Sequence, residues 1–206
     1  MKPQDSSPIT YLITDGTAEP AEFSANKKRI LETIELAVAA RVSMVQIREK
    51  ALTAKQTFEL TMEAAAITKP SETKLIVNDR ADITIAAGAD GVHLPESGMP
   101  VAAIRKACPP PFIIGASVHS IERAVAAERE GADFLLFGPV FDSGEKTGVG
   151  LSKLAEVCAA VNNVPVIAIG GINASNNADV LLNGAAGFAA IRYLNDLAVL
   201  GTLARI

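Results

Sequence analysis

The sequence predicts a single parallel (β/α)8 TIM barrel of the α/β class, and three observations lead there. Eight short runs, apolar throughout rather than alternating, recur along the chain, which is how parallel strands covered on both faces read. Segments with apolar residues at helical spacing separate them. The joints also echo one another: Gly88-Ala89-Asp90, Gly131-Ala132-Asp133 and Gly184-Ala185-Ala186 each stand between a helical segment and the next apolar run, as a repeated unit would place them. Eight units in 206 residues leave about 26 residues apiece, at the lower end for such a barrel. A doubly wound open sheet also alternates strand and helix, but no Gly-x-Gly-x-x-Gly opens the first helix.

Met1–Pro8 is polar, lacks the apolar segment of a secretory signal, and reads as a loose lead before one domain over residues 9–206. Ile9–Thr14 is the first strand, and Ile30, Leu31, Ile34 and Val38 mark one face of the first helix. Ser43–Arg48 follows. Thr53 with Gln56 makes a capping box, opening a helix whose apolar face carries Phe58, Met62, Ala65 and Ala66. Lys74–Asn78 is the third strand, and the short Ala81–Ala87 segment ends at Gly88, where a left-handed residue costs a glycine little. Gly91–Leu94 and Phe112–Ser117 are the next strands; Ser120 with Glu122 then puts a cap and an acid at a helix start. Asp133–Phe137 leads to a helix with Leu151, Leu154, Ala155, Cys158 and Val161 on one face. Pro165–Ile169 and Gly187–Ile191 complete the eight strands.

Charge and composition exclude several functions. With 19 Lys+Arg against 23 Asp+Glu and a net charge of −4, the chain lacks the basic stripe of a sequence-independent nucleic-acid binder. No stretch approaches the ~18–20 apolar residues of a membrane span. Cys108 and Cys158 are too few and too far apart for a disulfide framework, which points to a reduced, cytoplasmic setting. An anionic partner must therefore be held locally, by a few placed bases.

In a barrel of this kind, chemistry sits at the C-terminal ends of the strands. Those positions hold Gln46, Arg48, Glu49 and Lys50; Asn78, Asp79 and Arg80; His93 and Glu96; Ser117 and His119; the loop Asp142–Gly148; Gly170-Gly171; and Ile191-Arg192. Gln46 and Arg48 alternate with Val45 and Ile47, which sends them to the barrel interior or mouth. Lys50 is either a site residue or a solvated loop lysine, and Asp79 either a site residue or a cap for the helix behind it. His93 reads as a barrel-lining histidine held by hydrogen bonds; His119 divides between helix-entry packing and acid–base work. Lys146, bracketed by Gly144 and Gly148, reads as a mobile cation able to close on an anion. Gly170-Gly171 is either a tight turn or a backbone cradle for phosphate. Together these residues point to an enzyme for phosphorylated small molecules, with or without a divalent metal.

Six strings in register strengthen that reading: Val-Gln-Ile-Arg-Glu-Lys (45–50), Val-Asn-Asp-Arg-Ala-Asp (77–82), Gly-Val-His-Leu (91–94), Gly-Ala-Ser-Val-His (115–119), Phe-Gly-Pro-Val-Phe (137–141) with Lys146, and Ala-Ile-Gly-Gly-Ile (168–172). In these the chain resembles the thiamine-phosphate synthase and thiazole tautomerase family, a family of (β/α)8 barrels. The resemblance implies coupling of hydroxymethylpyrimidine diphosphate to a thiazole phosphate, giving thiamine phosphate and pyrophosphate. It implies that Arg48, Lys50, Asn78 and Lys146 hold the pyrophosphate, that Gln46 lies near the pyrimidine, and that Asp79 ligates Mg²⁺. It further implies a thiazole phosphate on the backbone of Gly171, Ile191 and Arg192, with Ser117 and Ser143 nearby.

Three departures from the family pattern stand out. The second magnesium-ligand position is Gly98, leaving Glu96 as a substitute ligand; Glu145 precedes Lys146; and the Ser usual after the eighth strand is Arg192. In the tautomerase branch, which needs no metal, a histidine matching His119 is the acid–base group. A non-catalytic binder of thiazole or thiamine phosphate is a third expectation. Small phosphorylated substrates, no nucleic acid, no membrane and a homo-oligomer left open complete the expectations.

Overall fold

The structure, a computed structural model, describes residues 7–204. All but Ser7 and Pro8 of the expected lead lies outside the described residues. Eight strands form, β1 (Ile9–Ile13), β2 (Met44–Ile47), β3 (Lys74–Asn78), β4 (Gly91–Leu94), β5 (Ile113–Val118), β6 (Phe134–Phe137), β7 (Val166–Ile169) and β8 (Gly187–Ala190). All are parallel, in sequence order, and close into a barrel. Every predicted strand is present with its ends within one residue of expectation. Between them run α1 (Phe23–Ala39), α2 (Ala54–Thr68), α3 (Ala81–Ala87), α4 (Val101–Ala107), α5 (Ile121–Arg129), α6 (Leu151–Ala160) and α7 (Asn177–Leu182), with α8 (Leu197–Leu203) after β8. No helix among the described residues is long and apolar enough to cross a membrane.

Two apolar layers hold the fold. The outer one packs strand residues such as Leu12, Val45, Leu75, Val92 and Ile114 against the helices. The inner one, Tyr11, Ile13, Met44, Ile76, Phe134, Leu136, Ile167 and Ala189, fills the barrel. Phe134 lies across that interior, and Gly115 on the neighbouring strand makes room for it: a Cβ there would sit 2.1 Å from the ring. Tyr11 meets Phe134 edge-on, with ring centroids 5.5 Å apart. The interior is a packed core rather than a pore.

The capping box of Thr53 and Gln56 and the Ser120 cap form as the sequence predicts. The apolar face of α2 differs. Its buried stripe is Leu60, Thr61, Ala64, Ala65 and Thr68, while Met62 is 48% exposed and Ala66 faces out. The helical period is right but the phase is rotated. Small residues and threonines whose hydroxyls bond back to the helix, as Thr61 does to the Thr57 carbonyl at 2.7 Å, let α2 lie close to the barrel.

The repeated joints have a hydrogen-bonding purpose. The Asp90 N–H donates to the Leu75 carbonyl at 2.9 Å, and its Oδ2 accepts from the Leu75 N–H at 2.8 Å. Asp133 repeats both bonds with Ile114, at 2.8 and 2.6 Å. In the third joint the Ala186 N–H keeps the bond to the Val166 carbonyl at 2.8 Å, but there is no carboxylate. These aspartates satisfy N–H groups at the starts of strands, at the end of the barrel opposite the site. Asp90→Ala leaves the Leu75 N–H without its acceptor, and denaturant unfolding is expected to show a loss of about 1–3 kcal/mol. A loss within a few tenths of a kcal/mol would show water replacing the carboxylate.

Candidate active site at the barrel mouth

A cavity of about 820 Å³ opens at the C-terminal rim of the strands. Of the predicted site residues, Gln46, Arg48, Lys50, Asn78, Ser117, His119, Ser143, Lys146, Gly171, Ile191 and Arg192 all line it. Asp79 and Glu96 do not.

The floor is polar but neutral. Gln46 and His93 are buried, at 1% and 3% exposure. The Gln46 Nε2 donates to the Tyr11 hydroxyl at 2.6 Å, and burial pushes the Tyr11 pKa far up, so it stays a phenol. His93 Nε2 lies 2.8 Å from the Ser117 Oγ, while its Nδ1 has no partner among the described residues. An idle buried lone pair costs less than an orphaned buried N–H, so the proton belongs on Nε2, which donates to Ser117. The Ser117 O–H then remains a donor for a ligand. Burial, reinforced by the nearby Arg48 charge, pulls the His93 pKa down to about 4, so this ring is neutral near pH 7.

Above the floor the walls are cationic. Arg48, Lys50, Lys146 and Arg192 line the cavity, and none forms an ion pair among the described residues. Outside the cavity, Lys27, Arg29, Arg80, Arg105 and Lys153 are matched to carboxylates, while others such as Arg41, Lys55 and Lys106 stand exposed and dispersed. Four unpartnered cations converging on one cavity form an anion site.

Lys146 is carried by a hairpin: Ser143 and Lys146 exchange backbone bonds of 2.9 and 3.2 Å, and Asp142 Oδ1 accepts from the Gly148 N–H at 2.8 Å. The loop, expected to carry Lys146 as a mobile cation, is closed by these bonds into a hairpin. Gly170 and Gly171 sit at φ +99° and +66°. Their Cβ atoms would lie 2.4 Å from Pro139 and 2.6 Å from the Asp142 carbonyl, so the loop after β6 rests directly on them. The Gly171 carbonyl accepts from Asn176 Nδ2 at 3.1 Å, which fixes that peptide's orientation. Gly170-Gly171 thus forms the tight turn, and both residues line the cavity.

Asp79 is exposed and does not cap α3, whose N-cap position is Arg80. It sits at φ +59°, a strained conformation with no capping role to explain it. A Cβ on Gly98 would lie 2.9 Å from Asp79 Oδ1, so position 98 does face this carboxylate but brings no oxygen to it. Glu96 points elsewhere, its oxygens 3.9 Å from His119 Nε2 and 3.8 Å from Arg123 Nε. No group of three or more His, Cys, Asp or Glu side chains among the described residues is arranged to hold a metal. A hard cation at this position would find one protein carboxylate, Asp79, and would have to draw its other oxygens from ligand and water. His119 donates its Nδ1–H to the Gly138 carbonyl at 2.8 Å, leaving Nε2 as the basic ring atom.

Glu49 was legible only as one more polar residue after the second strand. In the structure it is 5% exposed and accepts from the Gly16 and Ala18 N–H groups at 3.1 and 2.9 Å. The alternation that turns Arg48 and Lys50 to the cavity was the available signal, since it turns the residue between them away.

A family model described as thiamine monophosphate synthase matches residues 10–194. The thiamine-phosphate synthase of Methanoculleus marisnigri is 42% identical over 185 residues, covering 88% of this chain and 84% of its own length. That of Caldanaerobacter subterraneus is 37% identical over 171 residues, covering 81% and 79%. Among solved structures, the thiamine phosphate pyrophosphorylase from Pyrococcus furiosus superposes with a TM-score of 0.80 at 31% identity, covering 96% of this chain and 95% of that one.

The neutral floor has a pH signature. With a native pKa of about 4 against an ordinary 6.5, His93 takes up a proton in the unfolded chain before it does so in the folded one. Its contribution is present above pH 6.5 and is lost as pH falls towards 4, by about 3 kcal/mol in full. His93→Asn is expected to flatten the stability profile over that window; an unchanged slope in a urea-unfolding series would assign it to other groups.

Proposed function

Because the chain belongs to the thiamine monophosphate synthase family, we propose that it is a transferase, a thiamine-phosphate synthase joining hydroxymethylpyrimidine diphosphate to a thiazole phosphate. The four unpartnered cations around a single cavity carry this reading, because the reaction places two phosphorylated substrates side by side and expels pyrophosphate.

The bond between the pyrimidine methylene carbon and the diphosphate oxygen breaks, and the oxygen keeps the electron pair. The thiazole nitrogen then donates its lone pair to the resulting cation, forming the C–N bond. Negative charge grows on the leaving oxygen as the first bond stretches, so fixed positive charge aimed there lowers the barrier. Arg48, Lys50 and Lys146 supply it, with Asn78 as a further donor. A magnesium ion held by Asp79 and the diphosphate oxygens would add charge neutralisation at the same leaving group. Gln46 orients the pyrimidine, and Ser117, its hydroxyl free to donate, stands near the thiazole phosphate. Gly171, Ile191 and Arg192 receive the thiazole phosphate at the far side with Ser143, and the Arg192 side chain adds a cation there.

One observation favours a second activity, thiazole tautomerisation. The Nδ1–H bond to Gly138 fixes the His119 ring at the cavity wall and leaves Nε2, 3.9 Å from Glu96 Oε2, as its proton acceptor. Proton transfer there would need neither Lys146 nor a metal.

Incubation with Mg²⁺, the pyrimidine diphosphate and the thiazole phosphate should release thiamine phosphate and pyrophosphate in equal amounts. Lys146→Ala should lower kcat by about 10²-fold, and Asp79→Ala should raise the Mg²⁺ concentration needed for half-maximal rate. His119→Ala should only dent coupling. Tautomer interconversion without coupling, abolished by His119→Ala, would replace the synthase assignment; coupling undiminished in excess chelator would remove Asp79 from the mechanism. Arg192→Ser should raise KM for the thiazole phosphate alone, and a rise for the diphosphate instead would move Arg192 to the other anion.

A further inference from the structure

Arg48 has no carboxylate partner among the described residues, yet a long cationic side chain acts on a leaving group only if something limits where it can go. The surrounding backbone does this. The Arg48 N–H donates to Thr14 Oγ1 at 2.9 Å, and the Thr14 N–H donates to the Gln46 carbonyl at 2.9 Å. Beyond Thr14 the chain turns through Gly16, at φ +75°, and presses against Arg48: a Cβ on Gly16 would lie 3.3 Å from the Arg48 carbonyl and 3.6 Å from its Nη1. The same turn is anchored from below by Glu49, whose Oε1 accepts from Gly16 and Oε2 from Ala18.

The outer side of the turn is tied as well. Asp15 accepts from Arg29 Nη1 at 2.8 Å and from the Thr17 hydroxyl at 2.8 Å. Both oxygens of Glu49 are thus spent on backbone N–H groups, not on the cations either side of it in sequence. A carboxylate paired with Arg48 would have to be displaced when an anion binds. One that grips the wall beside Arg48 stays in place.

We propose that Glu49 is a positioning residue: by clasping the Gly16–Ala18 turn against Arg48 it holds that guanidinium, unpaired, where the diphosphate leaves. The proposal rests on the reading of the cavity as a diphosphate site.

The test uses the full chain, with inorganic pyrophosphate and Mg²⁺ as probe, in the parent and in Glu49→Gln, Arg48→Met and the double variant. A carboxamide keeps the size of Glu49 but offers only one acceptor oxygen, so one of the two N–H groups meets a donor. Calorimetry should show pyrophosphate binding weakened about tenfold by Glu49→Gln. In the Arg48→Met background the same change should weaken binding no further than about twofold. In the absence of ligand, Glu49→Gln should speed amide exchange at Gly16 and Ala18 and shift the Arg48 Nε–H resonance. Equal weakening in both backgrounds would make Glu49 a purely structural residue, and unchanged binding or an unmoved Arg48 resonance would overturn the clasp outright. Failure of the parent to bind pyrophosphate would overturn the diphosphate reading, and with it this role for Glu49, even if the substrate-free spectra show the turn and Arg48 coupled.

Discussion

Closure of β1 onto β8 is the constraint on which the site depends. The ring shuts where Ile9 meets Gly187, a contact so close that a Cβ on Gly187 would lie 2.0 Å from the Ile9 carbonyl oxygen. Gly91, at the equivalent position of another repeat, stands 2.3 Å by the same measure from the Ile113 carbonyl. With the ring closed and all strands parallel, residues from Gln46 to Arg192 end at one rim. Phe134 under Gly115, with Tyr11 against its edge, plugs the interior below them. A chain with net charge −4 thereby concentrates positive charge around one opening, where low-dielectric walls focus it.

Depth sets the chemistry available to each residue. Near the plug the polar groups are Tyr11, Gln46 and His93, all held neutral, because a buried charge without a partner is costly. Their bonds to one another and to Ser117 give shape and donors rather than charge. Full charges appear only at the rim, where water solvates them until an anion arrives. On the proposed function, the graded interior would separate recognition of a heteroaromatic ring, below, from neutralisation of phosphate, above.

Much of this was legible in the sequence, and what was not has physical causes. Strand positions follow from local composition: Lys74–Asn78 and Gly91–Leu94 have no other way to bury both faces. Residues on those strands inherit their direction from a period of two, so Gln46 and Arg48 could be placed at the mouth. The phase of α2 was hidden because Met62 and Ala64 are both apolar, and only contact with the barrel decides which is covered. Asp79 looked equally like a cap until its left-handed backbone and the neighbouring Arg80 settled which residue begins α3. Alternation turns Glu49 away from the mouth, but its partners were illegible: they are backbone N–H groups more than thirty residues away, and no side-chain pattern records them.

That last case bears on how an anion site is built before its anion arrives. Cations that attract phosphate also attract carboxylates, and a protein with 23 acidic residues has many to offer. Pairing Arg48 or Lys146 with one of them would order the side chain, but the pair would have to break on binding. The structure orders both through backbone instead. Lys146 rides a hairpin closed by Ser143, and Arg48 is flanked by a turn held on Thr14 and Glu49. The acids that line the cavity are engaged in the same way, Asp142 by the Gly148 N–H and Asp196 by the Ala198 N–H, as is Glu49 behind Arg48 by Gly16 and Ala18. Each carboxylate engaged by N–H donors competes less for the cations beside it. Rigidity and free charge, which oppose each other in a salt bridge, are in this way obtained together.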